Sequence, residues 1–157
     1  PRGPVCVCGR SGCVEAMACG PAIARNACSR LITEPNAGEK LRALVGDDLN
    51  AITGAIVAQA AKAGDGLAQR VMDDAARALG FGIGTVITLM NPERIVIGGG
   101  ISKAGERWWQ VVRESARANT LPQMRVDIVP ATFSDDAPLW GAIALAQTLR
   151  VKAERFA

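Results

Sequence analysis

The chain of 157 residues contains no histidine, so a mixed cysteine and histidine metal site cannot be completed within this sequence. The net charge is low: a formal charge of +3, spread over scattered basic residues, does not favour nucleic-acid binding. No apolar run approaches the roughly 20 residues that cross a bilayer. A Gly-Lys-Ser/Thr sequence is also missing, which excludes a phosphate loop of the Walker type.

The remaining composition is that of a folded globular domain. An apolar fraction of 49% with 21% charged residues is ordinary for a soluble protein, and this length allows one domain with a real core. The sequence begins at Pro1 without a methionine or a signal peptide, so we expect a partial chain of a cytoplasmic protein. Cysteines spaced for metal, without an even disulfide framework, also favour a reducing cytoplasm.

Three of the cysteines crowd together near the start of the chain. Cys6, Cys8 and Cys13 are close in sequence, with Gly9 and Gly12 between the last two thiols. Glycine permits the positive φ angles of a tight loop, and converging thiolates suit Zn²⁺, which takes four ligands in a tetrahedron. The loop supplies three, so the site lacks one ligand. Two alternatives stay open: ordinary buried cysteines, and a disulfide that leaves one thiol unpaired.

Hydrophobic periodicity indicates an α/β domain. It predicts helices at 21–31, 39–45, 54–63, 66–90, 103–118 and 138–155, and short strands at 94–97 and 125–129. The strand at 94–97 is expected to be buried and parallel. Gly80, Gly82 and Gly84 each cost the long helix about 1 kcal/mol relative to alanine. Either close packing of this helix against the sheet or a backbone approach to a nucleotide would explain them.

Three segments, in order along the chain, carry a resemblance to a known family. The motif Cys6-x-Cys8-Gly9-x-x-Gly12-Cys13-x-Glu15 resembles the zinc loop of the ROK family, which contains bacterial sugar kinases and sugar-responsive repressors. The segment 91–101, with its Gly-Gly-Gly turn, resembles the family's strand and glycine turn at the nucleotide site. The segment 135–142 resembles the start of the family's C-terminal helix.

The resemblance implies a ribonuclease-H-like fold of the actin-type ATPase class. Residues 1–157 would be its C-terminal lobe, with a zinc loop at 1–15 and an α/β lobe at 16–157, and the N-terminal lobe would lie outside this chain. In the family, a histidine from a Gly-His segment before the loop is the fourth zinc ligand. Cys6, Cys8 and Cys13 would therefore hold a structural zinc together with an upstream residue.

The resemblance also implies two ligand contacts. The Glu15 carboxylate would accept hydrogen bonds from two sugar hydroxyls. Gly98, Gly99 and Gly100 would let the backbone approach a purine or phosphate at the carboxyl end of a strand, where open α/β sheets bind ligands. Without the resemblance, Glu15 is a solvated first-turn glutamate favoured by the helix dipole, and the glycines merely connect a strand to a helix.

Catalytic parts of the family's kinases do not occur in this sequence. Neither the Asp-x-Gly-Gly-Thr phosphate loop nor the Asn-Asp pair that holds the base is present. Asp47, Asp48, Asp135 and Asp136 are interpreted as turn and cap residues. We therefore predict no catalytic residue in this chain and no kinase activity from it alone, whereas the full-length enzyme would use ATP and Mg²⁺.

Two functions are compatible with these features. The first is an ATP-dependent hexose kinase of glucokinase type, and the second is the sugar-sensing domain of a ROK repressor, which would bind nucleic acid through an N-terminal helix-turn-helix. The glycine turn favours the kinase, because a repressor has less need of ATP. A bare structural zinc domain would leave Glu15 and the glycine turn as coincidences.

A homo-oligomer is also expected. Related proteins are often dimers or tetramers. Trp108 and Trp109 are adjacent on a predicted helix and cannot both face one core, so one of them could lie at an interface, although a partly exposed tryptophan is the ordinary alternative.

Overall fold

The computed structural model describes residues 3–46, 48–133 and 136–154. Its elements are α1 Glu15–Ala18, α2 Gly20–Thr33, α3 Glu39–Val45, α4 Gly54–Lys62, α5 Gly66–Met90, β1 Arg94–Ile97, α6 Glu106–Ala118, β2 Asp127–Pro130 and α7 Ala137–Glu154, with 3-10 turns at Leu49–Ala51 and Gly100–Lys103. The α/β class is confirmed. Each helix and strand predicted from periodicity is present, although several ends differ.

The longest helix, α5, organises the core. The buried Asp65 carboxylate caps its first turn, accepting a hydrogen bond from the backbone N–H of Ala68 at 2.9 Å. The same carboxylate accepts bonds from the N–H groups of Lys40 and Leu41 at 3.0 and 3.1 Å, which ties α3 to the start of α5. The helix ends at Asn91, which takes a left-handed conformation with φ 44°. Its sides pack against α6, α4 and α2.

Glycines allow α5 and α6 to approach each other closely. A Cβ on Gly80 would lie 2.6 Å from the Val112 carbonyl oxygen, and one on Gly84 would lie 2.9 Å from another carbonyl oxygen of α6. A Cβ on Gly82 would lie 3.0 Å from Cγ2 of Val14. Close packing therefore explains these glycines, and an approach to nucleotide does not. Gly80 and Gly84 pack against α6 rather than the sheet, whereas Gly82 packs against Val14, which precedes α1.

The two described strands are parallel, with Ile95 opposite Ile128. The expected burial of β1 is wrong: its residues alternate between exposed and half-buried, and Val96 is 59% exposed. A parallel strand is buried only when neighbouring strands and covering helices surround it. Within the described residues no third strand pairs with β1, so one of its edges remains open.

Two elements begin later than periodicity predicts. Helix α6 begins at Glu106 rather than at residue 103, because residues 100–103 form a separate 3-10 turn and Gly105, at φ 109°, redirects the backbone. Strand β2 begins at Asp127 rather than at residue 125. A turn precedes it, in which the Met124 N–H donates to the Leu121 carbonyl oxygen at 3.0 Å.

Both tryptophans of α6 are buried, which corrects the expectation that one lies at an interface. Trp108 is 2% exposed and Trp109 is 6% exposed, and their rings meet edge-on. The 3-10 turn covers Trp109, whose Nε1 donates to the Ser102 carbonyl oxygen at 3.0 Å. The Arg113 guanidinium lies over the same ring. This turn therefore buries the Trp109 side of α6, which helical periodicity alone predicts to be exposed to solvent.

Helix α7 lies where the sequence predicts the last helix. Asp135, a predicted cap, and Arg155, the predicted helix end, lie outside the described residues, as does Asp47. Asp48 accepts a hydrogen bond from the Asn50 N–H at 3.0 Å, as a turn residue should.

Large apolar side chains of α7 face outward, among them Leu139, Trp140, Leu145 and Leu149. Trp140 contacts the Phe133 ring, with centroids 5.3 Å apart. Of the helices in the described residues, none combines the length and the apolar character needed to cross a membrane.

Candidate functional site

The cysteine loop is a compact turn held by its own backbone. The Cys6 N–H donates to the Arg10 carbonyl oxygen at 2.7 Å, and the Gly9 N–H donates back to the Cys6 carbonyl oxygen at 2.9 Å. Gly9 and Gly12 take φ angles of 83° and 78°, which favour glycine. These two residues therefore fold the loop so that its thiols converge, as the sequence predicts.

The three predicted thiols form one cluster. The sulfurs of Cys6, Cys8 and Cys13 all lie within 4.8 Å of one another, and the Sγ atoms of Cys8 and Cys13 are 3.7 Å apart. Sulfurs bound at about 2.3 Å to one tetrahedral zinc are about 3.8 Å apart, which is the edge of that tetrahedron. The cluster thus has the donor set and spacing to hold a metal ion, with one position left for another ligand.

Electrostatics around the cluster favours a thiolate at one position. The backbone N–H of Arg10, followed by the Cys13 and Cys6 thiols, lowers the pKa of the Cys8 thiol. For Cys13, the hydrogen bond with the Cys8 thiol raises the pKa of the thiol to about 11. Cys8 is therefore the thiol that ionises more readily. A bound cation would be needed to stabilise a second thiolate, at Cys13, beside it.

The structure describes all five cysteines as free thiols, with no disulfide among them. Cys8 is exposed and Cys13 half-buried, so only Cys6 behaves as a buried cysteine. Cys28 lies away from the loop, where its thiol donates to the Leu49 carbonyl oxygen at 3.4 Å.

Glu15 begins α1 directly after the loop. Its side chain is exposed, and no described residue forms a hydrogen bond or an ion pair with its carboxylate. The short helix α1 is fixed on its other side, where Ala16 and Ala18 are buried. The structure therefore presents this carboxylate on a fixed element and leaves its oxygens available.

The glycine turn follows the carboxyl end of β1. Gly99 has φ 83°, so its backbone conformation requires glycine. A Cβ on Gly98 would make an ordinary contact with Ala131 at 3.6 Å, and one on Gly100 would meet nothing within 4 Å. Neither packing nor conformation accounts for glycine at position 100, which leaves room there for a ligand to approach the backbone.

A groove of about 540 Å³ opens beside Gly100, between α4 and the 3-10 turn. Its lining is largely apolar and consists of Gly20, Gly54, Ala55, Ala58, Gln59, Lys62, Gly100, Ile101, Lys103 and Ala104. At its base, α4 and α2 meet closely, because a Cβ on Gly54 would lie 2.9 Å from the Gly20 Cα atom. Gly20 follows α1 by two residues, so one short helix connects the cysteine loop to this groove.

The α4 side of this groove was not predicted from sequence. Ala55, Ala58 and Gln59 occur in an ordinary amphipathic helix and show no distinctive motif. They meet the glycine turn only through tertiary packing of distant segments. The predicted residues thus fall into two groups, the thiol loop with Glu15 and the glycine turn with its groove, and no described hydrogen bond or ion pair joins Glu15 to the turn.

The chain superimposes on the ribonuclease-H-like fold of actin-type sugar kinases, with a TM-score of 0.84 to a ROK family glucokinase from Streptomyces griseus crystallised with glucose and AMPPNP. That match has 30% identity and covers 94% of this chain and 48% of the other. The ROK family model matches residues 1–149, and the chain belongs to the ROK family.

Relatives include both kinases and regulators. A glucokinase from Halalkalibacterium halodurans is 38% identical over 88% of this chain, which spans 42% of that relative. A ROK family transcriptional regulator, a homolog of the E. coli MLC protein, superimposes with a TM-score of 0.70 and 31% identity over 83% of this chain and 32% of its own. This chain thus spans less than half the length of these relatives.

Proposed function

We propose that this chain is the C-terminal lobe of an ATP-dependent hexose kinase of glucokinase type. The open space at Gly100 carries the proposal, because it is a glycine that neither packing nor φ requires, at the carboxyl end of a parallel strand. The similarity to glucokinases over most of the chain supports the same assignment. The N-terminal lobe would supply the catalytic base that deprotonates the sugar hydroxyl and the loop that binds the phosphates.

In this proposal, Gly98, Gly99 and Gly100 hold the adenosine part of ATP. The turn gives the backbone access to the ligand, and the apolar groove beside it is large enough for a nucleoside. The sugar hydroxyl oxygen would attack the γ-phosphorus and lose its proton to a base from the other lobe, while ADP leaves. This lobe would bind and orient the nucleotide, and Mg²⁺ would neutralise charge on the phosphates.

Glu15 would bind the sugar and the cysteine loop would keep it in position. A carboxylate without a protein partner can accept hydrogen bonds from two sugar hydroxyls. The metal at Cys6, Cys8 and Cys13 would be zinc, because a thiolate-rich tetrahedral site suits that ion. Its fourth ligand would come from the polypeptide before Pro1, and the ion would clamp the loop rather than take part in the chemistry.

A coupled assay of the complete gene product tests this function. With ATP, Mg²⁺ and a panel of hexoses, we expect ADP release that depends on one or a few sugars. No turnover with any hexose, together with sugar-dependent binding to operator DNA, would instead support the repressor. The transcriptional regulator among the structural relatives is the observation that favours this second candidate. We also propose a cytoplasmic homo-oligomer, which light scattering of the same product would test.

A further inference from the structure

The groove beside Gly100 contains one polar side chain that the protein does not use. Gln59 lies on its α4 wall, is exposed, and makes no side-chain hydrogen bond to any described residue. By contrast, the Lys62 ammonium in the same lining donates to the Lys103 carbonyl oxygen at 2.8 Å. The Gln59 carboxamide, which has no hydrogen-bond partner among the described residues, is therefore the polar group that a ligand in this groove would contact.

The rest of the wall suits a flat aromatic ring. Ala55 and Ala58 are small, and with Ile101 and Ala104 across the groove they leave apolar surface on two sides. A nucleotide base buries its faces against apolar surface and satisfies its edge with hydrogen bonds. The groove thus offers apolar surface for the faces of a base and one carboxamide for its edge.

We propose that Gln59 binds the Watson–Crick edge of the purine of the bound nucleotide. The inference rests on the proposed nucleotide site. The amide has an acceptor oxygen and a donor nitrogen, so it can accept from N6 of adenine and donate to N1. Turned over, the same amide accepts from N1 of guanine and donates to O6. A carboxylate at this position only accepts, so it suits N1–H and N2–H of guanine and repels N1 of adenine.

Base selectivity of Gln59→Glu in the complete gene product tests the proposal. We expect the ratio of kcat/KM for ATP to that for GTP to fall at least about tenfold, because one hydrogen bond is lost and a charged one is gained. Gln59→Met keeps the length but removes both polar atoms, so it should raise the KM for ATP severalfold. Neither change should alter the melting temperature, since the side chain has no partner to lose.

Gln123→Glu is the matched control. Gln123 is also exposed but lies in the loop between α6 and β2, outside the lining of the groove. The same charge change there should leave the ATP to GTP ratio unaltered. If Gln59→Glu and Gln59→Met both keep the wild-type ratio and KM while the wild type still consumes ATP, Gln59 does not contact the base. If the wild type consumes no nucleotide, the proposed function fails with it.

Discussion

Substituting alanine for each of three glycines should distinguish a glycine that gives a ligand access to the backbone from glycines that the fold itself requires. Gly100→Ala places a methyl group where no protein atom lies within 4 Å, Gly99→Ala forces a side chain onto a backbone at φ 83°, and Gly80→Ala places a methyl group 2.6 Å from the Val112 carbonyl oxygen. The chemical change is identical in all three. Of these three glycines, Gly100 is the one that neither backbone conformation nor packing requires to be glycine.

The expected costs follow from this geometry. At Gly99 an alanine would have to adopt φ 83° and ψ 173°, a backbone region essentially restricted to glycine, which costs about 1–3 kcal/mol of the free energy of unfolding. At Gly80 the added methyl group must separate two helices, at a cost of about 1–3 kcal/mol. At Gly100 the stability should stay within about 0.5 kcal/mol of wild type. A bound nucleotide would meet that methyl group, so the KM for ATP should rise about five- to thirtyfold, equivalent to about 1–2 kcal/mol.

Thermal unfolding and steady-state kinetics of the complete gene product measure both effects. One kcal/mol corresponds to about 2–4 °C in melting temperature for a domain of this size. Gly100→Ala should therefore keep the melting temperature and the KM for sugar while the KM for ATP rises. Gly80→Ala should lower the melting temperature with little change in either KM. A normal KM for ATP in Gly100→Ala would show that no ligand approaches this backbone, which would refute the argument from the open glycine.

Three further changes test the rest of the site and its support. Glu15→Gln should weaken sugar binding by about 1–3 kcal/mol in calorimetry while the metal content stays constant, and unchanged affinity would return Glu15 to a surface role. Cys8→Ser, or chelation, should lower metal content, melting temperature and sugar affinity together, whereas Cys28→Ser outside the loop should leave the metal in place, as elemental analysis would show. Asp65→Ala should cost about 3–5 kcal/mol by denaturant titration, because three backbone N–H groups lose their acceptor; a loss below 1 kcal/mol would argue against this cap.

Local signals gave the positions of the elements but not how they pack. Periodicity locates α5 because its apolar residues recur at the helical spacing over 25 residues. The start of α6 was misplaced because a 3-10 turn uses the same polar and apolar residues as the first turn of a helix. The burial of Trp109 was missed for the same reason, since the turn that covers it becomes visible only when the chain is folded.

The sequence by itself determined the family, the thiol cluster and the glycine turn, because each depends on residues that are adjacent or a few positions apart. Gly9 and Gly12 allow the loop to close, and once it closes, the three sulfurs must lie near one another. Tertiary structure alone decided which glycines serve packing and which leave space. It also brought Gln59 to the same groove as Gly100, because that proximity depends on how α4 packs beside the turn rather than on any local spacing.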